Sequence, residues 1–278
     1  MRFRHLLPLL TVALSFCANP LFAATSIPFQ FRDGMVSLKV TVAGKSEPLN
    51  FLLDSGAGAS VLDLGAAQRL GIKLGASQSV QGVSGRSTAY RVKDFAARAA
   101  DVAIPSSLLA VDLSGPSRAC HQRIDGLLGA DFFRNRIVQI DYAAHTIRLL
   151  ERTEVNAAGC EVLPLTVRND AFCAHVSVNG NSSEWMRLDT GCNTALEWVV
   201  TGDKAKKLGG TTLGIHSGSV REIHTDIQLG EKRITAVKTG IHTGQMFAGE
   251  AGLIGNGLLS RFTVTFDAAK RRCLISGR

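Results

Sequence analysis

Apolar and polar residues alternate in many short segments of this chain, and a glycine or an aspartate usually closes each segment. Met35–Gly44 reads MVSLKVTVAG and Phe172–Gly180 reads FCAHVSVNG. Alternation with a period of two is typical of half-buried strands, and the closing residues are those of turns. Helical patterns are short, namely AAQRLG at Ala66–Gly71 and DKAKKLG at Asp203–Gly209. The pattern therefore predicts an all-β protein with a short helix in each half.

The chain also contains an internal repeat. Leu127–Leu150 aligns with Leu253–Ser276 at a constant offset of 126 and without a gap, so that Gly129 corresponds to Gly255. Each copy reads as an apolar pair, a glycine, a short helical or turn segment, and two strands joined by an Asp-led turn. Self-similarity at a fixed offset indicates a duplicated structural unit. We therefore expect two similar lobes.

An aspartate closes an apolar segment in each half. Asp54 follows LNFLL and Asp189 follows EWMRL, and each is followed by Ser-Gly or Thr-Gly. A buried carboxylate is costly unless it is hydrogen-bonded or paired. One such triplet is explained by a turn or a helix cap. Two triplets at matching places of a duplicated chain predict a shared site instead.

The N-terminus, residues 1–24, has the composition of a secretory signal peptide. Two arginines precede an apolar run from Leu6 to about Phe16, and small residues surround Ala23 and Ala24. The run is too short to span a bilayer. We expect cleavage near Ala23 or Ala24 and an exported protein, periplasmic or secreted, without stable membrane insertion. A membrane anchor or a first buried strand is the alternative.

The repeat divides the remaining chain into an N-terminal lobe, residues 25–150, and a C-terminal lobe, residues 160–278. Residues 151–159, ERTEVNAAG, are polar and small, as in a linker. Val80–Val92 has a Gly and Ser centre between apolar residues, which predicts a hairpin with an exposed tip. Thr211–Ile223 takes the corresponding place in the second lobe.

Composition excludes several classes of function. The formal net charge is +8, but the basic residues are scattered and no nucleic-acid motif is present, so we expect a solvated surface and no nucleic-acid partner. The sequence has no HExxH, GxSxG or CxxC motif. His216, His224 and His242 lack ligand spacing, so we expect them to be surface histidines. We expect no metal and no cofactor. In an oxidising compartment, one or two disulfides are expected among the five cysteines after the signal segment.

If the two lobes meet about a pseudo-twofold axis, Asp54 and Asp189 face each other. Two carboxylates a few ångströms apart cannot both ionise easily, so the pair holds one proton, whereas a separation beyond about 6 Å would prevent this sharing. The ionised member can then activate a water molecule while the protonated member donates to a carbonyl. This chemistry is hydrolysis without a covalent intermediate.

The residues after each aspartate suit such a site. Gly56 and Gly191 allow a close approach of the backbone and offer N–H groups to the carboxylates. Ser55 and Thr190 can hydrogen-bond across the two loops and hold them in register. A pair formed within one chain makes a monomer sufficient.

The segments LLDSGAGASVL and RLDTGCNTAL, followed by GLLGADFF and GLIGNGLL, resemble the two halves of a pepsin-like or retroviral-type aspartic protease. The resemblance implies two pseudo-symmetric β-barrel lobes with the active-site cleft between them. It implies that Asp54 and Asp189 are the catalytic dyad of an aspartic endopeptidase that acts on peptides or proteins. It also implies that the Val80–Val92 hairpin is a flap over an extended peptide, with its tip at Gly82, Val83, Ser84 and Gly85.

Cys192 departs from the family pattern, which has a small Ala or Ser/Thr after the glycine of the motif; it is interpreted as a small core residue or, alternatively, as a redox-sensitive thiol. The rival interpretation of the whole chain is a catalytically weak, protease-like module of the envelope that binds peptides or regulates. Because residue types do not report positions to within an ångström, the sequence leaves this alternative open.

Overall fold

The structure, a computed structural model, describes residues 25–82, 85–200 and 221–277. Five predictions fall wholly or partly outside these ranges: the signal peptide at 1–24, the hairpin-tip residues Val83 and Ser84, the helix at 203–209, most of the second hairpin at 211–223, and the interpretation of His216. Among the described residues, no helix combines the length and the apolar character needed to cross a membrane.

Short strands dominate the first half, as the alternation predicts. They are β1 (Thr25–Pro28), β2 (Gln30–Arg32), β3 (Met35–Val42), β4 (Leu49–Leu53), β5 (Val61–Asp63), β6 (Ser77–Gly82), β7 (Gly85–Val92), β8 (Ala97–Ala99), β9 (Val102–Ala103), β10 (Leu108–Val111), β11 (Gly126–Leu128), β12 (Ile137–Asp141) and β13 (Thr146–Leu149). The helices are α1 (Leu64–Leu70), α2 (Ser114–Ala119) and α3 (Ala130–Phe133).

The second half has the same character. Its strands are β14 (Glu161–Arg168), β15 (Ala171–Val178), β16 (Glu184–Asp189), β17 (Leu196–Val199), β18 (Arg221–Leu229), β19 (Lys232–His242), β20 (Gly252–Gly255), β21 (Phe262–Asp267) and β22 (Arg272–Gly277). A helix, α4, covers Asn256–Leu259, and a 3₁₀ helix at Arg152–Glu154 lies between the halves, within the predicted linker.

Helix α1 shows how local sequence sets an element. Asp63 caps its N-terminus, because its side chain accepts a hydrogen bond from the Ala66 N–H. Gly71 ends it in the left-handed conformation, φ 70°, which glycine adopts without steric cost. The helix predicted at Ala66–Gly71 is therefore confirmed, with its start two residues earlier.

The two halves share a central run of six paired strands, in the order β1-β13-β12-β21-β22-β14. Strands β12 and β21 pair antiparallel at its centre, where Gln139 lies opposite Thr265, its own counterpart at the offset of 126. The Gln139 side-chain amide donates to the Thr265 hydroxyl at 3.2 Å. The pseudo-twofold axis expected from the repeat therefore passes through this pair.

Each half carries the same strand arrangement near its aspartate motif. In the first, β11 pairs parallel with β4 and antiparallel with β5. In the second, β20 pairs parallel with β16 and antiparallel with β17. The sheet of the second half closes on itself, since β18 pairs with both β19 and β15. The prediction of an all-β, two-lobed, barrel-like fold is confirmed.

Aromatic side chains join the halves beneath the sheets. The ring of Phe133 lies 5.0 Å from that of Phe266 and 6.1 Å from that of Phe172, and all three are buried. Because Phe133 comes from the first half and its two partners from the second, this cluster ties the lobes together.

The Phe133→Ala variant is expected to lower the free energy of unfolding by about 3–5 kcal/mol, since it opens a cavity at this junction. Urea denaturation followed by far-UV circular dichroism measures the change. Leu74→Ala is the matched control, because Leu74 is 42% exposed and its truncation removes little packing. A loss of less than about 1 kcal/mol for Phe133→Ala would contradict the assignment.

The expected disulfides are not formed among the described residues. Cys120, Cys160, Cys173, Cys192 and Cys273 are all free thiols. Cys173 and Cys273 are buried, and burial raises the pKa of the Cys173 thiol to about 12. The expectation rested on compartment and cysteine number, whereas a bridge also needs two side chains that point toward each other at short range.

Candidate active site

Asp54 lies one residue beyond β4, where the strand becomes a tight loop. Its backbone N–H donates to the Leu128 carbonyl at 2.8 Å, so the neighbouring strand β11 fixes its position. The N–H groups of Gly56 and Ala57 donate to its carboxylate oxygen Oδ1 at 3.1 and 2.9 Å. Asp54 is thus hydrogen-bonded, as the sequence argument required of a carboxylate at the end of a buried strand.

Asp189 ends β16 in the equivalent way and is 7% exposed. The Gly191 N–H donates to its Oδ1 at 2.8 Å. The residue after this glycine is Cys192, whose N–H donates to the Asp189 backbone carbonyl at 3.2 Å, not to the carboxylate. The Asp189 carboxylate therefore receives one backbone hydrogen bond where that of Asp54 receives two.

Ser55 and Thr190 hold the two loops together across the lobes. The Ser55 N–H donates to the Thr190 hydroxyl at 2.9 Å, and the Thr190 N–H donates to the Ser55 hydroxyl at 3.1 Å. Each hydroxyl in turn donates to the opposite strand, that of Ser55 to the Leu188 carbonyl and that of Thr190 to the Leu53 carbonyl. All four bonds are buried, so the predicted contact between the loops is present in both directions.

Two glycines leave room for the facing carboxyls. A Cβ atom on Gly56 would overlap the Asp189 carboxyl, and one on Gly191 would overlap the Asp54 carboxyl. Neither glycine has a left-handed φ, so steric space and not backbone conformation requires glycine at these positions. Each carboxyl therefore packs against the loop of the opposite lobe.

The two carboxyls lie within range of each other, so the pKa of each depends on the charge of the other. Burial raises the pKa of Asp189 well above its usual range, and the nearby charge of Asp54 raises it further. Burial also raises the pKa of Asp54, but the N–H of Ala57 and the hydrogen bond from Asp189 oppose this rise. Because Asp54 accepts two backbone N–H groups and Asp189 accepts one, the hydrogen bonding favours Asp54 as the ionised member of the pair.

Cys192 lies beside the pair but is not a reactive thiolate. Its sulfur is 3.1 Å from the Thr194 hydroxyl, and the side chain is partly buried. Burial, together with the negative charge of Asp189, raises the pKa of the thiol to about 12. It is therefore a protonated packing residue at neutral pH, although it is less buried than a core position.

The two strands of the predicted hairpin are present. Strands β6 and β7 pair antiparallel along their length, and Gly82 lies opposite Gly85 at the end of the ladder. The two tip residues between them, Val83 and Ser84, lie outside the described residues. Most positions of β6 and half of those of β7 are exposed, as in a hairpin that extends from its lobe.

Sequence reasoning missed a buried asparagine side chain that holds the loop after Asp189. Asn256, the first residue of α4, donates from Nδ2 to the Thr190 carbonyl at 2.7 Å and to the Gly34 carbonyl at 2.8 Å. The Tyr142 hydroxyl donates to its Oδ1 at 2.7 Å. The signal was an asparagine directly after Gly255, where the first half has Ala130 after Gly129.

Sequence reasoning also missed a buried ion pair two residues before Asp189. Arg187 is 2% exposed, and its guanidinium contacts the Glu250 carboxylate at 2.7 Å. The sequence signal was a charged residue inside the apolar lead-in EWMRL, where the first half has Leu52.

The interpretation of the histidines needs one correction. His224 is exposed, as expected, whereas His242 on β19 is 17% exposed and its Nε2 lies 2.5 Å from the Glu197 carboxylate. Pairing between neighbouring strands β17 and β19 explains this contact, which linear spacing does not reveal. Within the described ranges, no three His, Cys, Asp or Glu side chains are grouped to hold a metal ion.

Comparisons with known proteins agree with this geometry. Residues 38–132, from β3 to α3, match the sequence family described as aspartyl protease. The fold is similar to that of an aspartic proteinase from Irpex lacteus, with a TM-score of 0.60 and 14% identity over 92% of this chain and 97% of that one. No curated protein matches the sequence significantly. Together, the family match over the first lobe and the fold match over nearly the whole chain confirm the resemblance to aspartic proteases.

Proposed function

We propose that the protein is an aspartic endopeptidase whose catalytic dyad is Asp54 and Asp189. The observation that carries the proposal is the close approach of the two carboxyls, each packed against the glycine of the opposite loop, with the pKa of both raised. The protein family and fold support a protease-type function. We place the activity in the periplasm or outside the cell, because residues 1–24 have the composition of a signal peptide. Since both aspartates come from one chain, a monomer suffices.

The mechanism uses the two protonation states of the pair. Ionised Asp54 takes a proton from a water molecule as its oxygen attacks the carbonyl carbon, and Asp189 gives its proton to the carbonyl oxygen. In the collapse of the tetrahedral intermediate, Asp54 gives its proton to the amide nitrogen as the C–N bond breaks. Asp189 then recovers a proton from a hydroxyl of the intermediate. The products are a carboxylic acid and an amine, and the pair returns to its starting state.

Ser55, Thr190, Gly56 and Gly191 support this chemistry without reacting. Ser55 and Thr190 form hydrogen bonds across the lobes, and the two glycines have no Cβ atom to push the carboxyls away. Together these features fix the distance between the carboxyls. Such preorganisation matters because a displacement of about 1 Å at the reacting groups can cost roughly 100-fold in rate. The β6–β7 hairpin is proposed to close over an extended peptide, held by backbone hydrogen bonds.

Incubation of the mature protein with a peptide library, followed by mass spectrometry, tests the proposal. Cleavage at internal peptide bonds is expected, since an extended substrate passes through a cleft between lobes. Release of terminal residues alone would contradict an endopeptidase. Saturable peptide binding without cleavage at any pH would favour the binding or regulatory module instead.

The dependence of kcat/KM on pH is expected to be bell-shaped, with two apparent constants that belong to the pair. Activity rises with pH as one carboxyl ionises, and it falls as the shared proton is lost. Because the pKa values of Asp54 and Asp189 are both raised, both limbs lie above the usual aspartate value of about 4. Initial rates on a cleaved library peptide between about pH 3 and 9 measure the profile. A flat profile through the acid range would contradict a shared proton.

A further inference from the structure

An ion pair is buried next to the candidate dyad. Arg187 lies two residues before Asp189 on β16, so the two side chains leave the strand on the same face. Its Nε and Nη2 donate to the two oxygens of Glu250 at 2.8 and 2.7 Å, and both side chains are at most 2% exposed. This bidentate arrangement fixes the plane of the guanidinium.

The remaining end of the guanidinium reaches the opposite lobe. Arg187 Nη1 donates to the Gly56 carbonyl at 2.6 Å. Gly56 is the residue whose N–H binds the Asp54 carboxylate and whose Cα faces the Asp189 carboxyl. The Phe247 ring covers the guanidinium, with 3.5 Å from its carbon to the ring centre. Arg187 therefore connects the loop of one aspartate to the strand of the other.

In the first half, apolar side chains occupy the positions that correspond to Arg187 and Glu250. Leu52 stands two residues before Asp54, as Arg187 stands before Asp189, and Ile124 stands five residues before Gly129, as Glu250 stands before Gly255. Leu52 and Ile124 are buried in one apolar cluster. The strand pairings agree, since Leu52 pairs with Leu127 and Arg187 with Leu253. The fold thus accepts an apolar pair at this place.

A buried ion pair is not explained by stability. Its desolvation cost is large, and apolar residues of similar size often replace such pairs without loss of stability. In this protein the first half already has an apolar pair, Leu52 and Ile124, at the corresponding positions. The charged pair beside the dyad therefore calls for a role in the site.

We propose that Arg187, oriented by Glu250, is a positioning residue that fixes the Asp54 loop against Asp189 and places a positive charge beside the dyad. This inference rests on the proposed function of that dyad.

The charges around Arg187 define what its removal does. Glu250 faces it from the loop before β20, and Asn169 from the β14–β15 turn donates to Glu250 at 2.7 Å. The other titratable groups nearby are the Cys173 thiol of β15, Arg168 of β14, and the two aspartates. Arg187 lowers the pKa of both aspartates, which opposes the effect of their burial. Loss of its charge should therefore move both limbs of the pH profile to higher pH.

The decisive variant copies the apolar pair of the first half, as Arg187→Leu with Glu250→Ile. We expect it to fold with wild-type or higher stability in urea, while kcat falls about 10-fold. Glu250 binds the guanidinium edge formed by Nε and Nη2, whereas Nη1 reaches the Asp54 loop, so the loss of the Arg187 charge should dominate and both limbs should move to higher pH. A folded double variant with wild-type kcat and pH profile would overturn the proposal, because it would show a merely structural role.

Arg187→Lys separates charge from geometry. Lysine keeps the positive charge but lacks the planar fork that reaches Glu250 and Gly56 together. Its pH profile should stay within a few tenths of a unit of wild type, while kcat falls. If the apolar double variant does not fold, this variant decides: an unchanged kcat overturns the positioning role.

A titration that does not depend on catalysis distinguishes failure of the Arg187 proposal from failure of the proposed function. In protein labelled with ¹³C at the aspartate carboxyls, the resonances of Asp54 and Asp189 should titrate at higher pH in the apolar double variant, or in Arg187→Met, than in wild type. If the wild type cleaves no peptide, the proposed function fails, yet this shift still supports the role of Arg187. Unmoved carboxyl midpoints in a folded variant overturn that role even if the wild type is an active peptidase.

Discussion

The Asp54→Asn, Asp189→Asn double variant is expected to retain less than about one part in 10⁴ of the wild-type kcat/KM for peptides. The reason is that asparagine can neither take a proton from water nor return one to the leaving amine, and general acid and base steps each contribute roughly 10²–10⁴-fold. Cleavage of a library peptide, at the pH optimum of the wild type, measures the loss. Unchanged turnover in the double variant would exclude the dyad mechanism.

The same variant should remain folded, and its stability provides the control. The pKa values of Asp54 and Asp189 are raised in the folded protein, so above about pH 4 the folded state binds more protons than the unfolded state. Wild-type stability therefore falls as the pH rises from about 4 through the raised values. Asparagine does not titrate, so the variant lacks this fall. Thermal unfolding at pH 3.5 and 7 should show the smaller change in Tm for the variant.

The Gly191→Ala variant is expected to lower kcat/KM by about 100-fold or more and the free energy of unfolding by about 1–3 kcal/mol. The added methyl overlaps the Asp54 carboxyl, whose Oδ1 accepts hydrogen bonds from two backbone N–H groups. The carboxyl or the loop must therefore move, and the distance between the two aspartates changes with it. Steady-state kinetics and urea denaturation measure the two effects.

Gly115→Ala is the matched control for this substitution, because a Cβ at Gly115 meets no atom within 4 Å. Its activity should equal that of the wild type. Gly56→Ala should repeat the effect of Gly191→Ala, since the same overlap occurs with the Asp189 carboxyl. Wild-type activity in either site variant would mean that the close packing of the carboxyls is not needed for turnover.

The two aspartates, their serine and threonine neighbours and the two-lobed β fold were predictable from sequence. These features depend on local periodicity and on an internal repeat, and both can be recognised in the sequence. The cross-lobe hydrogen bonds of Ser55 and Thr190 followed from the same symmetry.

The ion pair of Arg187 with Glu250 was not predicted, because its partners lie 63 residues apart and only the folded sheet brings them together. Asn256 was missed for the same reason, since its contacts join α4 to Gly34 far upstream. Each of these residues departs from its counterpart in the first half. A position-by-position comparison of the two halves would therefore have marked them, whereas periodicity treats them as ordinary members of a buried segment.

The prediction of disulfides was wrong for a different reason. Compartment and cysteine number describe where bridges are allowed, but the geometry of two specific side chains decides whether one forms. The strand pairings that set this geometry, such as Cys173 with Arg187 and Cys273 with Leu163 or Phe266, are not visible in cysteine spacing.

The seam between β12 and β21, where Gln139 faces its own duplicate Thr265, has the register of two identical chains meeting about a twofold axis. The linker at residues 151–159 therefore keeps the two halves close to each other, whereas the strand pairing determines how they are arranged. If that connection were cut, the two fragments would have to find each other in solution. Peptide cleavage would then rise with the square of the fragment concentration at high dilution, whereas the intact chain keeps the same activity per molecule however dilute it becomes.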